Sequence, residues 1–318
     1  MKAVAVPEYG GPDVLRVVEI PEPHAGPGQV RVRVRAATVN PADTLLRIGD
    51  IDSMLVGRLT PPYRPGLEAA GILDEIGPGT ATDLRIGDRV MAMVSQVEPS
   101  GGAYAEYLVL AATQVTRAPA GTSHVEAATL PMNGLTARRA LDLLDLAPGE
   151  WLAVTGAAGA VGGYAVELAK VAGLRVVADA APGDEELVRK LGADAVVRRG
   201  TGVGERFREA VPAGVAAVLD AALLGADVVP ALRDGGQVAI VRRPGERGAA
   251  AVLTGVTVRD VWVPDYQHAR DKLDELRVLV ERGQLSLRVA QEFPAEQAAD
   301  AHRRLEAGGS RGRLVLTF

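Results

Sequence analysis

The sequence predicts an α/β protein of two domains, a β-rich unit and a doubly wound parallel sheet, with a C-terminal tail returning to the first. Three observations lead there. At 318 residues the chain is too long for one simple core. Its first third reads as short strands punctuated by Gly/Pro turns. From near Ala120 onward, strand and helix alternate.

Lys2 to Val6 reads as a strand, and Gln29 to Ala36 alternates Val with Arg, the period of a strand with one wet face. Turn residues cluster at Gly77-Pro78-Gly79 and Ile86-Gly87-Asp88. Helical patterning spans His124 to Leu144 around Leu130-Pro131. Next come strand Trp151 to Thr155, helix Val161 to Ala172, strand Leu174 to Ala178 and helix Asp184 to Leu191. Ala195 to Val197, Ala216 to Leu219 and Gln237 to Val241 supply further short apolar strands, so the βαβ series implies a parallel sheet. Val252 to Val263 is expected to form an edge strand able to pair across a dimer. The tail is an amphipathic helix from Ala269, a second helix over Ala295 to Glu306 and a strand from Arg313 to Phe318. That strand stands outside the βαβ series and is therefore assigned to the first domain.

Composition removes several function classes. A net charge of −5 offers no attraction to nucleic acid or an anionic membrane. With aromatics at 3%, the core must be built from Ala, Val and Leu. Zero cysteines exclude disulfides, thiolate catalysis and Cys-containing zinc sites, and four scattered histidines leave little for another metal site. The chain enters a strand without a signal segment, and no apolar run matches a membrane span. The expectation is a soluble cytoplasmic protein.

The most informative segment runs from Val154 to Gly162, with glycines at 156, 159 and 162 between a strand and a helix. The first glycine permits a tight turn, the second lets backbone approach a pyrophosphate, and the third lets the helix pack close. Free N–H groups at the helix start then face the phosphate charge. The expected dinucleotide-binding set here is Gly156, Ala158, Gly159, Ala160, Val161 and Gly162. Two signals bear on the adenosine ribose, and they conflict. Asp179, closing the second strand, would accept from a 2′-hydroxyl and so favour NAD(H). Arg198-Arg199, closing the third, can instead form a paired contact with the 2′-phosphate of NADP(H), or be a solvated strand end.

With that turn in place, motifs along nearly the whole chain resemble the zinc-independent quinone oxidoreductases of the medium-chain dehydrogenase/reductase superfamily. They include Gly10-Gly11-Pro12-Asp13-Val14-Leu15, Asn40-Pro41-Ala42-Asp43, Arg47-Ile48-Gly49 and Pro65-Gly66-Leu67-Glu68. Gly87-Asp88-Arg89-Val90, Gly101 to Tyr107, Leu130-Pro131 with Leu135-Thr136-Ala137, and Ser310 to Leu316 continue the order. Leu67 stands where zinc-dependent relatives carry a metal-binding histidine.

The resemblance implies a GroES-like catalytic domain from residues 1–120 and 265–318, with a Rossmann domain inserted over 121–264. It implies a cleft where nicotinamide meets substrate, a homodimer, and a preference for NADPH. The family's Thr-x-Ser and Lys after the second strand are replaced by Asp179, Ala181 and Asp184, and its Asp-Tyr by Arg198-Arg199. Phosphate recognition is accordingly expected to have moved to Arg199. Without zinc as Lewis acid, hydride must go to an acceptor that already spreads charge, a quinone or an α,β-unsaturated carbonyl. Donors at the developing oxyanion would lower the barrier.

Each candidate site residue carries an alternative. Asn40 either orients the acceptor or nicotinamide or satisfies local turn backbone, and Asp43 reads the same way. Tyr63 is a proton donor or a packed surface tyrosine. Asn133 and Thr136 face the cofactor or serve as cap and surface residues. Val241-Arg242-Arg243 ends the strand expected to deliver a loop beside the nicotinamide, where the two arginines bind an anionic substrate tail, close on the cofactor phosphates or form a solvated loop. His24, His124, His268 and His302 are expected in loops or on helix surfaces. Two other readings remain: an enoyl reductase or cyclase of one pathway, and a cofactor-binding protein without turnover.

Overall fold

Valine on one side and arginine on the other make Gln29–Thr38 a strand with one dry face: Val30, Val32 and Val34 are buried while Arg33 is exposed. In the computed structural model, which describes residues 1–242, 253 and 255–318, this strand is β3. Before it come β1 (Lys2–Ala5) and β2 (Arg16–Glu19), an antiparallel pair. After it come α1 (Pro41–Ile48), α2 (Asp52–Leu55), β4 (Glu68–Ile76), β5 (Arg89–Met93), β6 (Tyr107–Ala111), β7 (Val115–Arg117), α3 (His124–Ala127) and α4 (Pro131–Leu144). The βαβ series follows as β8 (Trp151–Thr155), α5 (Ala160–Val171), β9 (Arg175–Ala180), α6 (Glu185–Lys190), β10 (Ala195–Arg198), α7 (Val203–Ala210), β11 (Val215–Asp220), β12 (Leu232–Ile240) and β13 (Thr257–Asp260). The tail holds α8 (Arg270–Glu281), β14 (Val289–Pro294), α9 (Ala298–Glu306) and β15 (Arg313–Thr317).

The chain divides into two compact units. The first comprises Met1–Met132, Pro264–Glu281 and Leu287–Phe318. Its mixed sheet runs β14-β15-β3-β4-β5-β7, with β6 also paired to β3. The tail strand β15 lies antiparallel to β3, Leu316 opposite Ala37. Val32, Val34, Leu46, Leu73, Val90, Leu108 and Leu316 meet in one core.

The second unit comprises Asn133–Val263 and Arg282–Ser286. Its six strands pair in parallel in the order β10-β9-β8-β11-β12-β13. Counted along the unit this is 3-2-1-4-5-6, the doubly wound order whose direction of winding reverses between β8 and β11. Strands covered on both faces need no polar alternation, and Val215–Asp220 is buried throughout. Val177, Phe207, Val218 and Val238 share its core.

Two elements differ from expectation. Helical patterning over 124–144 becomes two helices, because Pro131 has no N–H to continue a helix and takes the first position of a new one. Ser123 caps the first of them, its Oγ accepting from the Glu126 N–H at 3.1 Å while Glu126 accepts from the Ser123 N–H at 2.7 Å. Of the expected edge strand, Thr257–Asp260 forms β13, each of its four residues exposed, whereas residues 252 and 254 lie outside the described residues. Among the described residues no helix is long and apolar enough to cross a membrane.

Candidate active site

Strand register brings the polar residues of the second unit to one edge of its sheet. Val154 lies opposite Ala178, and Asp220 lies opposite both Thr155 and Ile240. Gly156, Asp179 and Val241 therefore all emerge at the carboxyl ends of their strands. Gly156 turns the chain at φ +66°, a left-handed conformation that glycine adopts without cost. The Gly159 N–H then donates to the Gly156 carbonyl at 2.8 Å, and α5 opens at Ala160. The first N–H groups of α5, on Ala160, Val161 and Gly162, have no acceptor within the helix. A Cβ on Gly162 would stand 2.7 Å from the Gly156 carbonyl carbon, so helix and turn approach each other only because that position is glycine.

Asp179 holds this turn from beside it. Its Oδ1 accepts from the Gly156 N–H at 2.7 Å and the Ala157 N–H at 3.4 Å, with the residue 4% exposed. Burial raises its carboxyl above the ordinary value, opposed by these N–H bonds and by the charge of Arg199. The Arg199 N–H donates to the Ala180 carbonyl at 2.9 Å, which fixes that arginine's backbone beside the end of β9. The structure thus gathers the glycine turn, Asp179 and Arg199, and gives the Asp179 carboxylate a partner in the turn itself.

Two residues of this edge escaped sequence reading. Thr155 Oγ1 donates to Asp220 Oδ1 at 2.7 Å and accepts from the Ala222 N–H at 3.0 Å. Asp220, wholly buried, also accepts from the Leu224 N–H at 3.1 Å and the Gly225 N–H at 2.9 Å. Together they tie the loops after β8 and β11. A polar residue closing each apolar strand was the available signal. Asn133 and Thr136 are buried three residues apart on α4, hence on one helix face. Val241 and Arg242 are half-buried after β12, and Arg243 lies outside the described residues.

In the first unit, Asn40 caps α1 and is 1% exposed. Its N–H donates to Asp43 Oδ2 at 2.8 Å, and its carboxamide enters a buried cluster. Arg313 Nη2 donates to Asn40 Oδ1 and to Glu68 Oε1, both at 2.7 Å, and to Thr38 Oγ1 at 2.6 Å. Glu68 Oε2 accepts from the Met132 N–H at 2.7 Å. In sequence Glu68 and Arg313 stand inside longer motifs, and the signal for their role is a charge at the head of each apolar strand.

Asp43 also accepts from the Gly66 N–H at 2.9 Å and the Tyr104 hydroxyl at 3.2 Å. Burial still pushes its carboxyl up to about 7, against those hydrogen bonds and the charge of Arg313. Tyr104 meets His302 Nε2 at 3.2 Å, and His302 Nδ1 meets Arg47 at 3.3 Å. His302 is fully buried, contrary to its expected surface place, because α9 lays it against these two partners. An arginine can only donate, so Nδ1 accepts, Nε2 carries the hydrogen, and the Tyr104 hydroxyl is directed to Asp43. Burial and then Arg47 lower the His302 pKa to about 3. Tyr63 is 8% exposed and stacks on Tyr9 with ring centroids 5.6 Å apart, while Tyr9 donates to Asp52 at 2.5 Å.

The residues fit a dinucleotide, whose pyrophosphate needs the close backbone of the glycine turn and the first N–H groups of α5. They do not fit zinc: the chain has no cysteine, and among the described residues no three His, Asp or Glu converge.

The chain is similar to several known proteins. The alcohol dehydrogenase GroES-like family matches residues 26–120, and the zinc-binding dehydrogenase family matches residues 191–316. The chain is 36% identical over 303 residues to a segment of polyketide synthase GfsB of Streptomyces halstedii, covering 91% of this chain and 5% of that one. It spans 8% of a second such synthase, from Streptomyces venezuelae. It is 30% identical to 2-haloacrylate reductase of a Burkholderia species, covering 99% of this chain and 98% of the relative. Among solved structures, the quinone oxidoreductase from Coxiella burnetii is 28% identical with a TM-score of 0.82, over 100% of this chain and 99% of that one. A mycobacterial protein complexed with NADPH is 27% identical with a TM-score of 0.85, over 100% of both chains.

Proposed function

Because the chain belongs to the zinc-independent quinone oxidoreductase family of the medium-chain dehydrogenase/reductase superfamily, we propose that it reduces a quinone or an α,β-unsaturated carbonyl with NAD(P)H and without metal. The observation that carries this is the glycine turn at the carboxyl edge, following β8 where the winding of the sheet reverses. That is where parallel sheets of this order take up dinucleotides. A bound nicotinamide dinucleotide would supply hydride to the electrophilic carbon of the acceptor. The turn and the first N–H groups of α5 hold the pyrophosphate, and Gly162 keeps the helix close enough for them to reach it. Arg199 reads the 2′ position, and NADPH is the preferred cofactor. Asp179 already accepts two N–H bonds from the turn, and the charge of Arg199 lies near it. The mycobacterial neighbour's NADPH supports the same preference. Asn40, held by Arg313, orients the acceptor.

Likeness to polyketide synthase segments supports a second reading, an enoyl reductase acting on one pathway's thioester. Titration of the purified protein with NADPH and NADH, followed by oxidation of the bound form by a simple quinone, an enone and an enoyl thioester, tests both. Tight NADPH binding with quinone or enone turnover is expected, and turnover of the thioester alone would favour the second reading. Binding of neither cofactor would end both.

A further inference from the structure

We infer that Arg206 is a specificity-determining positioning residue: by gripping three backbone carbonyls of the turn after β10, it holds Arg199 in place to bind the 2′-phosphomonoester of NADP(H). The inference rests on the proposed dinucleotide function. The turn is Arg198-Arg199-Gly200-Thr201-Gly202, and Gly200 at φ +106° and Gly202 at φ +76° give it a path that side-chain-bearing residues rarely follow. That path directs three carbonyls to one point. Arg206, in the first turn of α7, fills it. Its Nε donates to the Arg198 carbonyl at 2.7 Å, its Nη2 to Gly200 at 2.8 Å and its Nη1 to Thr201 at 3.0 Å. Each guanidinium nitrogen has its own acceptor, so the planar fork fixes the carbonyls relative to one another.

Arg199 is the residue of Arg198–Thr201 whose carbonyl Arg206 does not take. Its backbone is fixed instead through its N–H, which donates to the Ala180 carbonyl of β9 at 2.9 Å. The turn is therefore clamped on one side by Arg206 and on the other by the strand that carries Asp179. Three arginines stand within nine residues, and each guanidinium nitrogen of Arg206 already donates to a carbonyl. Among the described residues, the side chains of Arg198 and Arg199 form no hydrogen bond or ion pair, which leaves their guanidinium donors for an anion. A phosphomonoester dianion takes two parallel N–H bonds from such a fork, a contact that depends on where the arginine backbone is held.

The test is a double-mutant cycle on the dissociation constants of NADPH and NADH, with thermal midpoints measured alongside. Arg199→Ala weakens NADPH roughly thirtyfold, the loss of a charge-assisted contact, and leaves NADH within about twofold. Arg206→Ala weakens NADPH about tenfold, a loosened contact in place of a deleted one, and again spares NADH. Because Arg206 acts through Arg199, the double variant binds NADPH no more weakly than Arg199→Ala alone. Arg206→Lys keeps the charge but loses the fork, and shows a similar loss of selectivity, which covers the case in which the alanine variant does not fold. Additive losses, equal losses for both cofactors, or full selectivity in Arg206→Lys would each overturn the role given to Arg206. NADPH binding unchanged by Arg199→Ala would instead overturn Arg199 as the phosphate reader, and wild-type protein binding neither cofactor would overturn the dinucleotide function.

Discussion

Arg313→Met removes the cation from the buried cluster around Asn40. Glu68 is fully buried; its Oε1 keeps the Thr38 hydroxyl and a 3.4 Å contact from the Asn40 amide, and its Oε2 the Met132 N–H, but it loses the guanidinium. A buried carboxylate that loses its cation costs about 3–5 kcal/mol. At roughly 2–4 °C per kcal/mol for a unit of this size, the thermal midpoint falls by about 10 °C. Glu68→Gln in the same chain removes the uncompensated charge while keeping an acceptor for the Met132 N–H, and the cost falls to about 1–2 kcal/mol. The assay is a urea unfolding series on wild type, both single variants and the double. The single-variant costs must fail to add, with the double more stable than Arg313→Met alone. If the double is less stable than wild type by the sum of the two single costs, Glu68 and Arg313 do not act as a pair. The same substitution frees Asn40 Oδ1 of its 2.7 Å donor, so KM for the acceptor rises even at temperatures where the protein stays folded.

Gly162→Ala places a methyl 2.7 Å from the Gly156 carbonyl carbon, with backbone on both sides and nothing flexible to yield. An overpacking cost of about 1–3 kcal/mol, borne by the turn, lowers NADPH and NADH affinity together by about tenfold or more in a titration. A change confined to NADPH would place the third glycine at the ribose instead. His302 and Asp43 give opposite pH dependences. His302, at about 3 when folded against an ordinary 6.5, stays neutral where the unfolded chain is charged, so stability is lost as pH falls through that window. Asp43, at about 7 against 3.8, holds a proton the unfolded chain has released, so stability is gained as pH falls from 7 toward 4. Each slope is about 1.4 kcal/mol per pH unit, and they offset in the wild type. Urea midpoints from pH 4 to 7 fall with rising pH in His302→Gln and rise in Asp43→Asn; three parallel curves would refute the assignment.

What the sequence shows and what it conceals follow from how far apart the partners lie. Gly159 and Gly162 answer to the backbone of Gly156 and Ala157, within seven residues of chain, so the glycine spacing between strand and helix is enough to read the turn. Val215–Asp220 is legible for a similar reason, since a strand covered on both faces is an apolar run whatever covers it. Pro131 announces its own helix start. The polar clusters have no such local signature. Glu68 meets Arg313 across 245 residues, and His302 meets Arg47 across 255 and Tyr104 across 198. In sequence, His302 stands among charged residues of a short helix and reads as surface; its burial depends on which face α9 turns to α1 and Tyr104. Asp179 is the intermediate case. Its place at the end of the second strand marks it as a cofactor residue, but only the fold shows that its carboxylate first serves the Gly156 N–H. An acid committed to shaping the turn is poorly placed to be the discriminator of the 2′ position as well. Arg199 lies beside that acid, its charge acting on Asp179, and the carbonyls that fix its turn are held by Arg206.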